Sequence, residues 1–354
     1  MSPIARRVRL FCDSFGLRLP ILQAPMAGAS PPGLAAAVAN AGGMGGLGAL
    51  QSSPAEIMGW AAQFRAASNG AFQVNLWIPD PPPARDAARE AAARDALASL
   101  GPPPPAPGDG PFLPDVAAQC EAIRAARPAV ASTIMGLWPA EVAAALKAAG
   151  IAWIANATTL DEALAAEAAG ADAVVAQGAE AGGHRGSFDP AHGEAQSIPL
   201  FVLLPRLADA LRVPVVAAGG IMDGRGIAAA MALGASAVQM GTAFLRCPEA
   251  GIAPAWADAL PATAPEDTVL TRAFSGRAGR GIRNAATDAF AALPAAPYPI
   301  QRALSAPMRA AATAGGDITR MQAWAGQGAA LARAEPAGEV AGRCWAEARA
   351  LLGM

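Results

Sequence analysis

The chain has 354 residues, of which 53% are apolar and 15% are charged. A chain of this length and composition can bury about three quarters of its unfolded surface in one or two domains, which excludes disorder and coiled coil. The 26 Lys and Arg residues nearly balance the 28 Asp and Glu residues, giving a net charge of -2. Because this charge attracts neither nucleic acid nor an anionic membrane, no polyanionic partner is expected.

The cysteines and the N-terminal residues both favour a cytoplasmic protein. Cys12, Cys120, Cys247 and Cys344 lie far apart without a C-x-x-C pair, which argues against a zinc knuckle, a redox dithiol or a disulfide scaffold. We therefore expect reduced thiols and no metal site. Residues 1–10 carry three arginines, but no apolar segment with a cleavage site follows, so no signal peptide is predicted.

One long segment without charge, residues 19–55, resembles a membrane span on hydropathy alone. Five prolines and two glycine pairs interrupt it, and these residues would break a helix that crosses a bilayer. The segment therefore predicts a buried strand, helix and strand, and no membrane anchor.

Short apolar runs alternate with alanine-rich stretches, which is typical of parallel strands covered by helices. Between the apolar runs, capping residues mark where the helices begin and end. Pro139 suits a first helical turn, Gly150 and Gly170 suit C-terminal caps, and Thr159 with Glu162 predicts a capping box. The eight candidate strands are 21–24, 46–50, 72–76, 129–133, 152–156, 173–177, 215–218 and 237–240.

Eight such units predict an α/β fold of the closed (β/α)8 or TIM barrel type, because closure removes both edges of the sheet. Residues 1–246 are assigned to this barrel. Residues 79–116 are rich in proline and predict an insertion after the third strand, and residues 247–354 predict a C-terminal cap or substrate region. In such barrels the chemistry lies on the loops that follow the strands.

Residues 43–48 (GMGGLG) satisfy the G-x-G-x-x-G fingerprint of dinucleotide-binding folds. That fingerprint needs a strand before it and a helix N-terminus within it, whereas here a helical stretch comes first and a strand follows. These glycines therefore indicate a helix C-terminus packed closely on a strand, and no Rossmann site is predicted.

Two loops with glycine follow the last two candidate strands, at residues 217–221 (AAGGI) and 239–242 (QMGT). In a (β/α)8 barrel these loops commonly bind phosphate through unblocked backbone N–H groups. A phosphate held by neutral donors suits a mononucleotide cofactor. Asn75 and Gln177 end strands at the same mouth, where their amides either match the polar edge of an isoalloxazine ring or bridge barrel strands.

The loop after the sixth candidate strand, residues 177–186 (QGAEAGGHRG), contains His184, one of 2 histidines. A general base that works near neutral pH needs a pKa close to it, which an unperturbed histidine has. Gly182, Gly183 and Gly186 would give the backbone freedom to bring the imidazole against a flat ring. His184 is the predicted catalytic residue, and His192, which lies in a predicted turn, is assigned a structural role.

These segments together resemble the class I nitronate monooxygenases, formerly called 2-nitropropane dioxygenases, over nearly the whole chain. The most specific of them is AGGHRG at residues 181–186. The others are residues 23–28, 41–45, 214–226, 239–245, 274–277, 280–281 and 324–328.

The resemblance implies a flavoprotein with noncovalent FMN that oxidises alkyl nitronates by O₂ to a carbonyl compound and nitrite, with nitroalkanes as further candidate substrates. It matches His184 to the family's catalytic histidine. Residues 76–80 are unusual for the family, and Arg302 stands where asparagine is often found, so both bear on the substrate. The implied FMN contacts are Ala24, Pro25, Met26, Asn75, Gln177, Gly182, Gly183, Gly219, Gly220, Gln239, Gly241 and Thr242.

Two other functions stay open at this point. An NAD(P)H-dependent flavin reductase of the same superfamily, acting on an enoyl thioester or a quinone, would share the glycine loops. A nucleic-acid binder would need Arg272, Arg277, Arg280 and Arg283 as a basic stripe, but such proteins usually add a basic domain and stacking aromatic residues. These arginines are more simply assigned to the cap or to an anionic substrate. No oligomeric state is predicted.

Overall fold

Parallel strands occupy the centre of the molecule in a computed structural model, which describes residues 2–106, 108 and 110–354. Within these residues eight strands form one sheet, in the order β1-β9-β8-β6-β5-β4-β3-β2, and three strands form a second sheet. The strands are β1 (Ile21–Gln23), β2 (Gly45–Gly48), β3 (Phe72–Trp77), β4 (Val130–Ile134), β5 (Ala152–Ala157), β6 (Ala173–Gln177), β7 (Gly183–His184), β8 (Val215–Ala218), β9 (Ala237–Met240), β10 (Thr268–Thr271) and β11 (Gly279–Ile282).

The large sheet closes on itself between its first and last members. Leu22 in β1 pairs in parallel with Met44, just before β2. The Gln23 N–H donates to the Met44 carbonyl at 2.8 Å, and the Met44 N–H donates to the Ile21 carbonyl at 3.0 Å. The predicted (β/α)8 barrel is thereby confirmed, and each of the eight candidate strands overlaps an observed one.

Helices cover the outside of the barrel and build the layer above it. No helix among the described residues is long and apolar enough to cross a bilayer. The helices are α1 (Pro3–Phe15), α2 (Pro32–Ala41), α3 (Pro54–Ala67), α4 (Ala87–Leu100), α5 (Val116–Ala126), α6 (Ala140–Ala148), α7 (Leu160–Ala168), α8 (Leu200–Ala210), α9 (Gly224–Ala232), α10 (Pro254–Ala259), α11 (Ala285–Ala289), α12 (Ile300–Leu304), α13 (Ala306–Ala314) and α14 (Ala337–Leu352).

The GMGGLG segment joins a helix end to a strand, as predicted. Helix α2 ends at Gly42, whose φ of 110° favours glycine, and β2 begins at Gly45. A Cβ on Gly45 would lie 2.7 Å from the Ala35 carbonyl oxygen, so the strand and α2 touch where these glycines lie. The fingerprint therefore serves close packing inside the barrel, and no Rossmann site is present there.

The predicted capping box of α7 is wrong in one half. The Thr159 side chain accepts from the Glu162 N–H, as expected. The Glu162 carboxylate, however, accepts from the N–H groups of Thr158 at 2.6 Å and Phe188 at 2.7 Å, and not from Thr159. This carboxylate is buried and reaches the loop after β6, so a tertiary contact replaces the local one. Pro139, which was predicted in a first helical turn, is the N-cap residue directly before α6.

The proline-rich insertion, residues 79–116, follows β3 as predicted, apart from residues 107 and 109, which lie outside the described residues. It contains a helix that the sequence analysis did not predict, α4, which Asp86 caps by accepting from the Arg89 N–H at 3.0 Å. Helix α4 shares a hydrophobic cluster with the C-terminal region, here called the cap cluster. Its buried members are Ala93, Leu97, Ala273, Phe274, Ala286, Phe290, Ala296, Ile300, Leu304 and Met308.

The last helix returns from this layer to the barrel. Helix α14 packs against α2 and α9, and its residues Val340, Cys344 and Ala348 belong to the main hydrophobic core. It thus takes the outer position expected for the helix after the eighth barrel strand. The division into a barrel of residues 1–246 and a cap of 247–354 stays a prediction, and α14 argues for grouping that one helix with the barrel.

Candidate active site

A cavity of about 890 Å³ opens at the carboxyl ends of the barrel strands. Among the described residues no group of three or more His, Cys, Asp and Glu side chains could hold a metal ion. The cavity wall includes every residue that the sequence analysis assigned to the site, namely Ala24, Pro25, Met26, Asn75, Gln177, Gly182, Gly183, His184, Gly219, Gly220, Gln239, Gly241 and Thr242.

The two glycine loops present free backbone donors to this cavity. Gly219 and Gly220, directly after β8, have φ values of 120° and 67°, which other residues rarely adopt. Gly241 and Thr242 directly follow β9. The N–H groups of these four residues donate to no acceptor within the described part of the chain. Four free donors that line one cavity suit an anionic group such as a phosphate.

A chain of side-chain amides crosses the barrel interior under the cavity. The Asn75 amide donates to the Ser132 hydroxyl at 3.1 Å, and that hydroxyl donates to the Gln73 amide oxygen at 2.9 Å. Gln73 in turn donates to the Gln239 amide oxygen at 3.2 Å. Asn75 and Gln239 are therefore fixed in orientation before any ligand binds, through two residues that the sequence analysis had not singled out.

Gln177 closes the loop that carries the predicted catalytic residue. Its amide nitrogen donates to the His184 carbonyl at 3.0 Å, and its amide oxygen accepts from the Gly186 N–H at 2.8 Å. These hydrogen bonds join Gln177 to the loop that follows its own strand, so they do not bridge two barrel strands. Gln177 also lines the cavity, so it is compatible with a cofactor contact as well.

The three glycines around His184 are required for different reasons. Gly183 has a φ of 76°, so backbone freedom does explain it. A Cβ on Gly182 would lie 2.4 Å from the Gly326 nitrogen, and one on Gly186 would lie 2.0 Å from the Asn156 amide nitrogen. At these two positions the expectation of conformational freedom is wrong, because the missing Cβ makes room for a neighbouring segment.

The imidazole of His184 is enclosed by side chains from three distant segments. Its Nε2 lies 2.7 Å from the Ser275 hydroxyl, which is fully buried and accepts from the Arg277 N–H at 3.2 Å. The rings of Trp77 and Trp324 meet it edge-on, with centroids 4.6 Å and 4.9 Å away. The backbone of His184 is part of β7, which pairs with β11 in the small sheet.

Burial, followed by the nearby guanidinium groups of Arg302, Arg277 and Arg309, lowers the pKa of His184 to about 3. The expectation of an unperturbed pKa near neutrality is therefore wrong. The cause is physical: burial and three nearby cations disfavour the charged imidazolium, and no carboxylate is among the groups that act on it. At neutral pH the ring of His184 is uncharged.

The four arginines proposed as a basic stripe do not form one. Arg277 is buried and donates to the Asp80 carboxylate at 2.8 Å, and Arg280 is buried and donates to the Ala179 carbonyl at 2.9 Å. Arg272 pairs with Glu194, and Arg283 is exposed. Three of these side chains are thus engaged within the protein, so the four arginines do not provide the exposed basic stripe that the nucleic-acid alternative requires.

Sequence reasoning gave no site role to several residues around His184. Trp77 carried a usable signal, since it stands two residues after Asn75 in a strand and so shares its face. Ser275 and Trp324 lie in segments that carry the family resemblance, but only the tertiary fold shows that they meet the loop after β6. Arg309 carried no signal. Both segments noted as departures, residues 76–80 and Arg302, do reach the cavity, through Trp77 and the arginine itself.

Comparison with known proteins shows to which family the chain is related. A family model described as nitronate monooxygenase matches residues 9–343. The chain belongs to this family. A nitronate monooxygenase of Pseudomonas aeruginosa is 44% identical over 341 residues, which cover 93% of this chain and 96% of that protein.

Solved structures agree with this assignment. The crystal structure of a nitroalkane oxidase from Streptomyces ansochromogenes has a TM-score of 0.86 and 40% identity, covering 97% of this chain and 99% of the other. The structure of FabK from Thermotoga maritima is less similar to this chain, with a TM-score of 0.74 and 27% identity over 97% of each chain.

Proposed function

We propose that this chain binds FMN noncovalently and oxidises alkyl nitronates with O₂ to a carbonyl compound and nitrite. One observation carries the proposal: a single cavity joins four free backbone donors, an uncharged His184 and two arginine side chains. Membership of the nitronate monooxygenase family supports the reaction. The absence of a membrane-spanning helix among the described residues is compatible with a cytoplasmic enzyme.

The residues on the cavity wall fit FMN. Gly219, Gly220, Gly241 and Thr242 would hold its phosphate through their N–H groups, without a basic side chain. The fixed amides of Asn75 and Gln239 would contact the polar edge of its ring. Once bound, FMN supplies the acceptor for the electron pair that the nitronate gives up, and O₂ regenerates it.

His184 acts in this site as a neutral hydrogen-bonding group. Its Nε2 either donates to the Ser275 hydroxyl or accepts from it, according to the tautomer, and both tautomers leave the ring uncharged. A base whose pKa is about 3 is poorly matched to removing a proton from a neutral nitroalkane near pH 7. The site is therefore better suited to nitronates that arrive already ionised, and neutral nitroalkanes should be slow substrates.

The tryptophans beside His184 keep the reacting end of the cavity apolar. The rings of Trp77 and Trp324 cover two edges of the imidazole, and Tyr298 stacks on Trp77 with centroids 5.7 Å apart. Hydrogen bonds to an anion are stronger in such a dry environment than in water. These rings thus make neutral and cationic donors effective on a small charged substrate.

An NAD(P)H-dependent reductase is the second candidate, and the similarity to FabK is what favours it. The identity to that protein is 27%, against 44% for the nitronate monooxygenase of Pseudomonas aeruginosa. The glycine loops would serve either reaction. The two functions differ in the compound that reduces the flavin.

An anaerobic mixing experiment separates the two functions. The purified protein should show two flavin absorbance bands and release FMN on denaturation. Ethyl nitronate should bleach the flavin rapidly without O₂, NADH should not, and admitting air should restore the colour and yield nitrite. Rapid bleaching by NADH alone would establish the reductase instead, and a colourless protein that takes up no added FMN would refute the proposal.

A further inference from the structure

Two guanidinium groups line the cavity without a carboxylate to neutralise them. Arg302 belongs to α12 and Arg309 to α13, and their side chains donate only to neutral oxygens of described residues. Glu56 also lines the cavity, but it is exposed, and its carboxylate accepts from Ser53 at the start of α3. Because a desolvated charge without a counter-charge is costly, this arrangement calls for an anionic ligand.

Arg309 is held in place by the protein on three sides. It donates through Nε to the Ser305 hydroxyl, through Nη1 to the Gln322 amide oxygen and through Nη2 to the Arg302 carbonyl, each at 3.0 Å. A guanidinium has five N–H donors, so these bonds occupy one on each nitrogen. Its evident role is to fix the backbone of α12 at Arg302.

Arg302 is bound much less completely. Its Nη2 donates to the Gln51 amide oxygen, and that exposed glutamine is the one hydrogen-bond partner of this side chain among the described residues. Its Nε is buried and has no partner there. Its Nη1 also has no hydrogen-bond partner among the described residues and is not buried, so the guanidinium keeps N–H groups for a ligand.

We propose that Arg302 binds the two nitro oxygens of the nitronate. This assignment rests on the proposed oxidation of nitronates. A nitronate spreads its negative charge over two oxygens of a planar group, much as a carboxylate does, and a guanidinium matches that shape with two parallel hydrogen bonds. The asparagine that the family resemblance leads one to expect at this position would have no charge to offer.

The relation between Arg302 and His184 supports the same role. Among the charged groups that lower the pKa of His184, Arg302 has the largest effect. Both side chains line the same cavity, so a small substrate bound there can meet the guanidinium at its negative oxygens and the neutral imidazole beside it. Losing the positive charge at position 302 should raise the pKa of His184 as well as weaken anion binding.

Nitrate is a suitable probe, because it is a planar oxyanion that cannot be oxidised by the flavin. We expect Arg302→Met in the FMN-loaded protein to weaken nitrate binding about 10-fold to 100-fold, as measured by flavin absorbance and by calorimetry. Arg302→Lys should lie between this variant and the wild type. Arg283→Met removes the same charge from an exposed position outside the cavity and should bind nitrate as the wild type does.

Turnover of ethyl nitronate separates this assignment from the proposed function. Arg302→Met should raise KM by a similar factor, with a smaller change in kcat. Wild-type nitrate affinity in Arg302→Met, or no measurable nitrate binding by the wild type, would overturn the assignment even if nitronate is oxidised. If the wild type does not oxidise nitronates, the proposed function fails whatever the nitrate result. Should Arg302→Met not fold, Arg302→Gln provides the neutral variant.

Discussion

The surroundings of His184 turn an ordinary histidine into a neutral group. Two tryptophan rings pack against it, the Ser275 hydroxyl lies 2.7 Å from its Nε2, and three guanidinium groups oppose a positive charge. A carboxylate beside the ring would have the reverse effect and produce a stronger base. The residue type alone predicted a base, whereas its neighbours favour a hydrogen-bonding role toward an anion that is already formed.

The pH dependence of stability tests this neutral state. The folded pKa of His184, about 3, lies below the unfolded value of roughly 6.5, so the unfolded chain binds the proton more readily between these limits. Stability should therefore fall as the pH drops below about 6.5. His184→Asn should remove up to about 1.4 kcal/mol per pH unit of that slope, measured by urea unfolding from pH 7 to pH 4.5.

A second histidine provides the matched control for that series. His192 is exposed, and His192→Asn should leave the extra slope in place. If His184→Asn and the wild type showed the same slope, the imidazole would not be held neutral by the fold. A difference confined to the neutral range would point to another titrating group.

At the scale of single elements, the loops after β8 and β9 were predictable because their requirements are local. A strand end followed by Gly219 and Gly220 needs left-handed backbone angles, which sequence indicates directly. The same holds for the helix end at Gly42. The barrel strands were also recognisable, since their apolar runs are short and bounded by turn residues.

A substitution in one of these loops should act on cofactor affinity more than on folding. Gly220→Ala places an L residue at a φ of 67°, with its Cβ 3.4 Å from the Glu180 side chain. The strain should shift the donor N–H and weaken FMN binding by about 10-fold, as one misplaced hydrogen bond would. Fluorescence titration of the flavin-free protein with FMN measures this change.

Gly150→Ala is the control for backbone strain. Gly150 has a φ of 73° with nothing near its added Cβ, and it ends α6 away from the cavity. Gly150→Ala should lower the free energy of unfolding by about as much as Gly220→Ala does, and its affinity for FMN should equal that of the wild type. Equal FMN affinity in the two variants would mean that the loop after β8 does not hold the cofactor.

Other parts of the site could not be read from sequence, because they depend on pairing between distant segments. Ser275 is 91 residues from His184, and nothing in either neighbourhood marks the contact. Strand β7 has two residues, too short for any periodic pattern, and exists only because β11 lies beside it. The side chain of Glu162 was assigned to a local cap alone for the same reason, since it accepts from the distant Phe188 N–H as well as from Thr158.

At the scale of the whole molecule, the proline-rich insertion and the C-terminal region form one structure over the barrel mouth. Helix α4 contributes Ala93 and Leu97 to the cap cluster, and Asp80 pairs with Arg277. Arg277 is 1% exposed, so its charge depends on this partner. The insertion is thus packed into the C-terminal cap region and is not an appendage, although the residues that line the cavity come from other segments.

Removing that partner should cost considerable stability. Asp80→Asn leaves the Arg277 charge buried and uncompensated, and we expect a loss of about 2–4 kcal/mol in the free energy of unfolding by urea. Asp13→Asn breaks an exposed pair with Arg9 and should cost less than about 1 kcal/mol. Equal losses in the two variants would show that the Asp80–Arg277 pair does not couple the insertion to the cap.

The small sheet of β7, β10 and β11 has a consequence for any rearrangement of this architecture. The backbone of His184 is part of β7 in that sheet. A hinge motion that moved β10 and β11 away from the barrel would therefore also displace His184 or break its pairing with β11. For the same reason, replacing the C-terminal region of this protein by that of a relative would require replacing the AGGHRG loop together with its strand partners β10 and β11.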